Sequence, residues 1–97
     1  MTGIQEFFEV EYTYYQYNSG AADNGTRTKI HRCSSDEEAH DLAARIEADA
    51  VAHREGRSDD VDEELRNDLI PWDGYFISAS AWRCRREPLV MVSAPRR

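Results

Sequence analysis

The feature that most constrains the fold of this chain is a stretch of helical spacing near its middle. Between residues 36 and 55, five small or apolar residues and one histidine recur at helical spacing: Ala39, Leu42, Ala43, Ile46, Ala50 and His53. Such spacing places these side chains on one face of a helix. Ser35 and Glu38 form a capping-box pattern at its start, and Gly56 is a natural stop. The sequence therefore predicts a helix over 36–55, whose apolar face has to pack on another element.

A strand is predicted over residues 6–17, which are rich in aromatic and β-branched residues. Alternation gives it one apolar face for the core: Phe8, Val10, Tyr12 and Tyr14. The opposite face mixes rings with carboxylates: Phe7, Glu9, Glu11, Thr13, Tyr15 and Tyr17. Turn-forming residues over 18–25 lead to a second strand at 26–33, which completes a hairpin. We expect cross-strand ion pairs in it, with Glu9 or Glu11 facing Lys29 or Arg27.

Three shorter elements are expected after the long helix. Apolar residues four apart predict a short helix over 60–69: Val61, Leu65 and Leu69. Pro71 ends that helix. Strands follow at 75–84 and 89–93, joined by a turn. The phase of the first of these strands stays open, because Phe76 and Trp82 fall on one face and small or apolar residues on the other: Ile77, Ala79 and Ala81.

These elements predict an α+β fold, a small antiparallel sheet in ββα(α)ββ order with the helices packed on one face. A chain of 97 residues has room for a single domain, 1–97. The phase of the predicted elements assigns the core to Phe8, Val10, Tyr12, Ile30, Leu42, Ile46, Leu65, Leu69, Trp82, Val90 and Val92.

The charge of the chain is concentrated in its middle third. The net charge is −7, but residues 36–73 hold 14 acidic and 4 basic residues, a net charge of −10. The predicted helices would display most of these carboxylates: Glu37, Glu38, Asp41, Asp59, Asp60, Asp62, Glu63, Glu64 and Asp68. Two interpretations remain open. The acids form either a solvated face that keeps the protein soluble or a surface for a basic groove, with Tyr15 or Trp72 as an aromatic anchor.

Catalytic and metal-binding patterns are weak in this sequence. His31, Cys33 and Cys84, joined by His40 or His53, are the best candidates for a zinc site or an activated thiol. They lack the short spacings of known zinc motifs, and no glycine-rich turn supplies an oxyanion hole. We therefore expect a protein that is not an enzyme and carries no metal or cofactor. Direct nucleic-acid binding through the C-terminal arginines is disfavoured, because an acidic body repels phosphate.

The two cysteines do not form a disulfide framework, and no signal peptide or apolar run of about 18 residues is visible. We expect a cytoplasmic protein that does not enter a membrane and whose Cys33 and Cys84 are free thiols.

The chain resembles the phage-encoded anti-CRISPR inhibitors. It shares their small size, an acidic pair of helices on a small sheet, and aromatic rings left over for an interface. The acids of this pattern include Asp59, Asp60, Asp62, Glu63 and Glu64. The resemblance implies a stoichiometric inhibitor in the host cytoplasm. Its partner would be a basic nucleic-acid-binding surface, such as that of a CRISPR effector complex. The alternative is a small regulatory or adaptor protein that self-associates, for instance as a homodimer, through its tyrosine-rich strand.

Overall fold

A computed structural model describes residues 7–16, 25–71 and 74–89, with only the backbone of Ser58. The elements run in the predicted α+β order: β1 (Phe8–Gln16), β2 (Gly25–Cys33), α1 (Asp36–Arg54), α2 (Glu63–Leu69) and β3 (Gly74–Arg83). A single 3₁₀ turn, Ser58–Asp60, precedes α2. Of the predicted strand at 89–93, only Leu89 lies within the described residues; Pro88, just before it, bridges to Trp82.

The described sheet is antiparallel, in the order β2-β1-β3, so the aromatic-rich strand is central. Val10 lies between His31 on one side and Ala81 on the other. Helix α1 packs mainly on β3 and β1 and touches β2 much less. One side of β1 is therefore covered along its length, whereas β2 extends beyond the helical layer.

The predicted core face of β1 is confirmed. Val10, Tyr12 and Tyr14 are buried, as are Ile46 and Leu65 from the helices, and Phe8, Leu42 and Leu69 pack against them half-buried. The Tyr12 hydroxyl donates to the Leu69 carbonyl at 2.8 Å, so the ring also fixes the end of α2. Desolvation raises the pKa of Tyr12, which keeps this donor protonated.

Two core assignments are wrong within the described residues. Ile30 is 53% exposed, because it lies on the face of β2 that no helix covers. Trp82 is only half-buried, because its pairing with Glu9 places it on the side of the sheet opposite Val10. The two remaining assignments, Val90 and Val92, lie outside the described residues.

A β-bulge resolves the phase of β3. Thr13 pairs with Ser78, but Tyr14 pairs with Phe76, so Ile77 is one extra residue on β3. An extra residue reverses which side chains point to a given face. Phe76 and Ala81 are therefore both buried, although simple alternation places them on opposite faces.

Both ends of α1 lie close to the predicted positions. At the start of α1, the Glu38 amide donates to Ser35 Oγ at 3.1 Å, as predicted. The Glu38 carboxylate accepts from the amide and hydroxyl of Ser34, rather than from Ser35. Gly56 follows α1 with a φ of 75°, the left-handed conformation that favours glycine at a helix end.

Helix α2 begins three residues later than predicted, because Asp62 caps it by accepting from the Leu65 amide.

Cys33 is buried, Cys84 is half-buried, and both are free thiols. No helix among the described residues is long and apolar enough to cross a membrane.

Candidate protein-binding surface

A buried ion pair holds the two acidic helices together. Asp49 of α1 is fully buried, and Arg66 of α2 grips it with two nitrogens, Nη2 to Oδ1 at 2.8 Å and Nε to Oδ2 at 3.1 Å. The Asp62 amide donates to the same carboxylate at 2.8 Å. A buried carboxylate is tolerated only with such partners. The pair therefore fixes where α2 lies against α1.

A second ion pair joins the helices at their surface. Arg45 of α1 donates to the Asp62 carboxylate at 2.8 Å, and this bond together with that from the Leu65 amide lowers the pKa of Asp62. The same bond raises the pKa of Arg45, with smaller contributions from the negative charges of Asp41 and Glu64. Exposed acids of both helices thus lie around one arginine.

Internal contacts occupy three of the predicted binding residues. Asp62 caps α2, Glu38 caps α1, and Asp60 accepts from Arg57 at 2.7 Å. The hydrogen bonds from Ser34 lower the pKa of Glu38. Removing any of these carboxylates would disturb the fold locally as well as the surface charge.

The six other predicted acids are exposed. Within the described part of the chain none of them forms a hydrogen bond or a salt bridge, and we call them together the acidic helical surface: Glu37, Asp41, Asp59, Glu63, Glu64 and Asp68. Like charges this close repel one another. Their display therefore costs stability.

Of the two predicted aromatic anchors, the structure describes Tyr15 but not Trp72. The Tyr15 ring stacks on Tyr75 with 5.5 Å between ring centroids, and His53 stacks on Tyr75 at 3.9 Å. Tyr15 is consequently part of an internal stack and half-buried. The helical spacing assigned His53 to the apolar face of α1, but its side chain is exposed in the structure. Trp72 and Tyr17 lie outside the described residues.

On the uncovered face of the sheet, one arginine binds two acids of β1. Arg86 donates to Glu9 at 2.9 Å and to Glu11 at 2.7 Å, and its guanidinium lies 4.4 Å from the centre of the Trp82 ring. The predicted pairs with Lys29 and Arg27 are wrong, because the register places Glu9 opposite Arg32 and Glu11 opposite Ile30. These two acids are thus not available to a partner.

The candidate metal and thiol site does not assemble. His31 is exposed whereas Cys33 is buried, and no three potential ligands cluster among the described residues. Burial, and to a smaller extent the negative charge of Glu38, raises the pKa of the Cys33 thiol. A raised pKa makes the thiol a poor nucleophile at neutral pH.

The described surface has a small cleft beside its second helix. A cleft beside α2 holds about 270 Å³ and is lined by Val61, Glu63, Arg66 and Asn67. This is below the roughly 300 Å³ at which ligand pockets begin.

Sequence reasoning missed the Asp49–Arg66 pair, although a signal for it was present. Asp49 is three residues after Ile46 and next to Ala50, so it falls on the apolar face of α1. An acid at such a position needs a buried basic partner. The sequence does not show which arginine supplies it, because that depends on how α2 folds back.

Comparison of the chain with protein-family models, with curated proteins and with solved structures found no match.

Proposed function

We propose that this protein is a non-enzymatic inhibitor of the anti-CRISPR type. Its acidic helical surface would occupy a basic nucleic-acid-binding site of a defence complex and compete with the nucleic acid. The observation that carries the proposal is the set of six exposed carboxylates on α1, α2 and the turn before α2.

The use of the neighbouring arginines supports this proposal. Between residues 36 and 71, all four arginines are engaged elsewhere: Arg45 with Asp62, Arg54 with the Ile77 carbonyl, Arg57 with Glu55 and Asp60, and Arg66 with Asp49. None of these arginines bonds to the six carboxylates of the acidic helical surface, although Arg45 lies near Asp41 and Glu64, so negative charge is in excess there. A surface with an excess of one sign steers association with a basic site and speeds encounter.

The rigidity of the two helices also supports it. The Asp49–Arg66 and Arg45–Asp62 pairs fix α2 against α1 before any partner binds. A prearranged surface loses less entropy on binding than a flexible one. A few desolvated carboxylate–arginine pairs could then give a high affinity.

The self-association alternative has less support. The tyrosine-rich strand β1 pairs on both of its edges, so it has no free edge for a second copy. On its uncovered face, Tyr15 stacks on Tyr75, and Arg86 holds Glu9 and Glu11.

A competition experiment tests the proposal. A purified CRISPR effector complex is loaded with fluorescent target DNA, and the protein is titrated at low and at high salt. We expect it to displace the DNA stoichiometrically, and to do so much less well at high salt because screening weakens exposed charge pairs. Failure to displace DNA from a panel of such complexes and from other basic nucleic-acid-binding proteins would contradict the proposal.

A further inference from the structure

The two edges of the described sheet differ in how far other parts of the chain hydrogen-bond to them. Along β3, the Ala79 amide donates to the Glu47 carboxylate at 2.8 Å, and Arg54 donates to the Ile77 carbonyl at 3.5 Å. The chain after β3 completes that edge, because the amides of Arg83 and Leu89 bond Glu87 and Ala81. No described segment pairs with the outer edge of β2, where residues 26–32 are all exposed.

Strand β2 has the shape of a template for another strand. It pairs with β1 over nine consecutive residues without a bulge. An unpaired edge presents every second amide and carbonyl to an incoming strand. Proteins that protect an edge often shorten it, interrupt it with a bulge or place charged side chains on it. Within the described residues β2 carries charged side chains but is neither short nor bulged, and it exposes Ile30 near its centre.

The charge of β2 indicates the chemistry of its partner. The strand contains three cationic residues and no acid in a protein of net charge −7: Arg27, Lys29 and Arg32. Pairing with Tyr14, Tyr12 and Val10 places Arg27, Lys29 and His31 on the helix-facing side of the sheet. Thr28, Ile30 and Arg32 lie on the uncovered side, where the Thr28 hydroxyl is 3.2 Å from that of Thr13 and the Arg32 guanidinium lies 4.0 Å from the centre of the Phe7 ring.

We propose that the outer edge of β2 binds an extended acidic segment of a partner protein, which adds a strand to the sheet. Side chains of an added strand alternate as those of β2 do. The segment therefore carries Asp or Glu at every second position, next to the helix-facing cations. Its intervening residues are apolar or β-branched and lie beside Thr28 and Ile30. A second copy of β2 fits less well, because it would bring cations against cations.

This interface is separate from the acidic helical surface, and its test does not depend on the proposed function. The probe is a fluorescein-labelled nine-residue peptide of alternating glutamate and valine or threonine. A matched probe carries N-methyl groups on the amides of one edge, and a third replaces each glutamate by lysine. Fluorescence anisotropy measures affinity, and amide shifts of labelled protein locate the site.

We expect the glutamate peptide to bind and to shift amides of residues 26–32. We also expect the N-methylated and lysine peptides to lose binding. Lys29→Glu should lower the affinity for the glutamate peptide about fivefold or more, because attraction to the peptide carboxylates becomes repulsion. Arg85→Glu, an equal charge change at an exposed turn, should leave the affinity within about twofold.

Four outcomes would overturn the inference. The first three are that the glutamate peptide fails to bind, that the N-methylated peptide binds equally well, and that the amide shifts fall on other elements. The fourth is that a single-stranded oligonucleotide shifts the β2 amides more strongly than the peptide does, which would make β2 a phosphate-binding strand. Peptide binding that survives Glu64→Lys/Asp68→Lys would separate this interface from the acidic helical surface.

Discussion

At the scale of single residues, Asp49 shows that an acid in an acidic run is not necessarily a surface acid. Its carboxylate is fully buried and holds Arg66 and the Asp62 amide. Breaking a buried ion pair from one side leaves an uncompensated charge, which costs more than the pair contributes.

We predict that Asp49→Asn lowers the free energy of unfolding by about 3 kcal/mol, because it leaves Arg66 without its counter-charge. Urea denaturation followed by circular dichroism measures the change. Asp41→Asn is the control on the same helix, since Asp41 is exposed, and it should change stability by less than about 0.5 kcal/mol. Equal effects of the two substitutions would show that Asp49 is not buried as described.

Gly74 is required by close approach of the backbone. A Cβ at this position would lie 2.7 Å from the Tyr15 carbonyl oxygen, a main-chain atom that cannot easily move. We predict that Gly74→Ala destabilises the protein by about 2 kcal/mol, the cost of overpacking a site without space. Ser80→Ala on the exposed part of β3 is the control. A thermal unfolding midpoint as high in Gly74→Ala as in the control would refute the pairing of β3 with β1.

At the scale of elements, the carboxylates that cap the helices predict how stability depends on pH. The pKa values of Glu38 and Asp62 are lowered in the folded protein. Their contribution is therefore fully present above their ordinary pKa values of 4.5 and 3.8 and is lost as the pH falls through the lowered values.

We predict that Asp62→Asn loses less stability than the parent does as the pH is lowered below about 4. Asparagine can still cap α2, but it neither titrates nor forms the ion pair with Arg45. Urea midpoints measured between pH 6 and pH 3 give the comparison, with exposed Asp68→Asn as the control. Parallel curves for parent and Asp62→Asn would argue against this role of Asp62.

The elements differ in how far the sequence could predict them. Helix α1 and the core face of β1 follow from local periodicity, which needs no partner to be recognised. The β3 bulge at Ile77 and the Arg86 contacts depend on how strands pair and how a turn folds, with Arg86 itself at a φ of 66°. Ile30 was misassigned because alternation separates the two faces of a strand but does not show which face the pairing register turns toward the helices.

At the scale of the whole molecule, the candidate site was only partly predictable. The sequence showed that the acids are concentrated in one region, and the helical phase indicated that many are exposed. It could not separate the six free carboxylates from Glu38, Asp60 and Asp62, which internal contacts occupy. That separation depends on the positions of Ser34, Arg45 and Arg57 in the folded chain.

The acidic helical surface has to act as a surface, not through net charge alone, and its loss has to leave the fold intact. Glu64 and Asp68 are four residues apart on α2, are both exposed and are free of internal bonds within the described part of the chain. Glu55 and Glu87 are also exposed, but they form salt bridges with Arg57 and Arg85 and are not among the six carboxylates, so they provide a control pair with the same charge.

The most direct measurement is the concentration of protein that displaces half of the DNA from an effector complex. It is determined for the parent, for Glu64→Lys/Asp68→Lys and for the control Glu55→Lys/Glu87→Lys, with unfolding midpoints measured alongside. We predict that this concentration rises at least about 30-fold for Glu64→Lys/Asp68→Lys, since each lost attraction becomes a repulsion. The control pair should stay within about threefold, because its sites lie outside the interface. Equal inhibition by all three proteins, or equal loss in both variants, would contradict the claim that the acidic helical surface is the binding site.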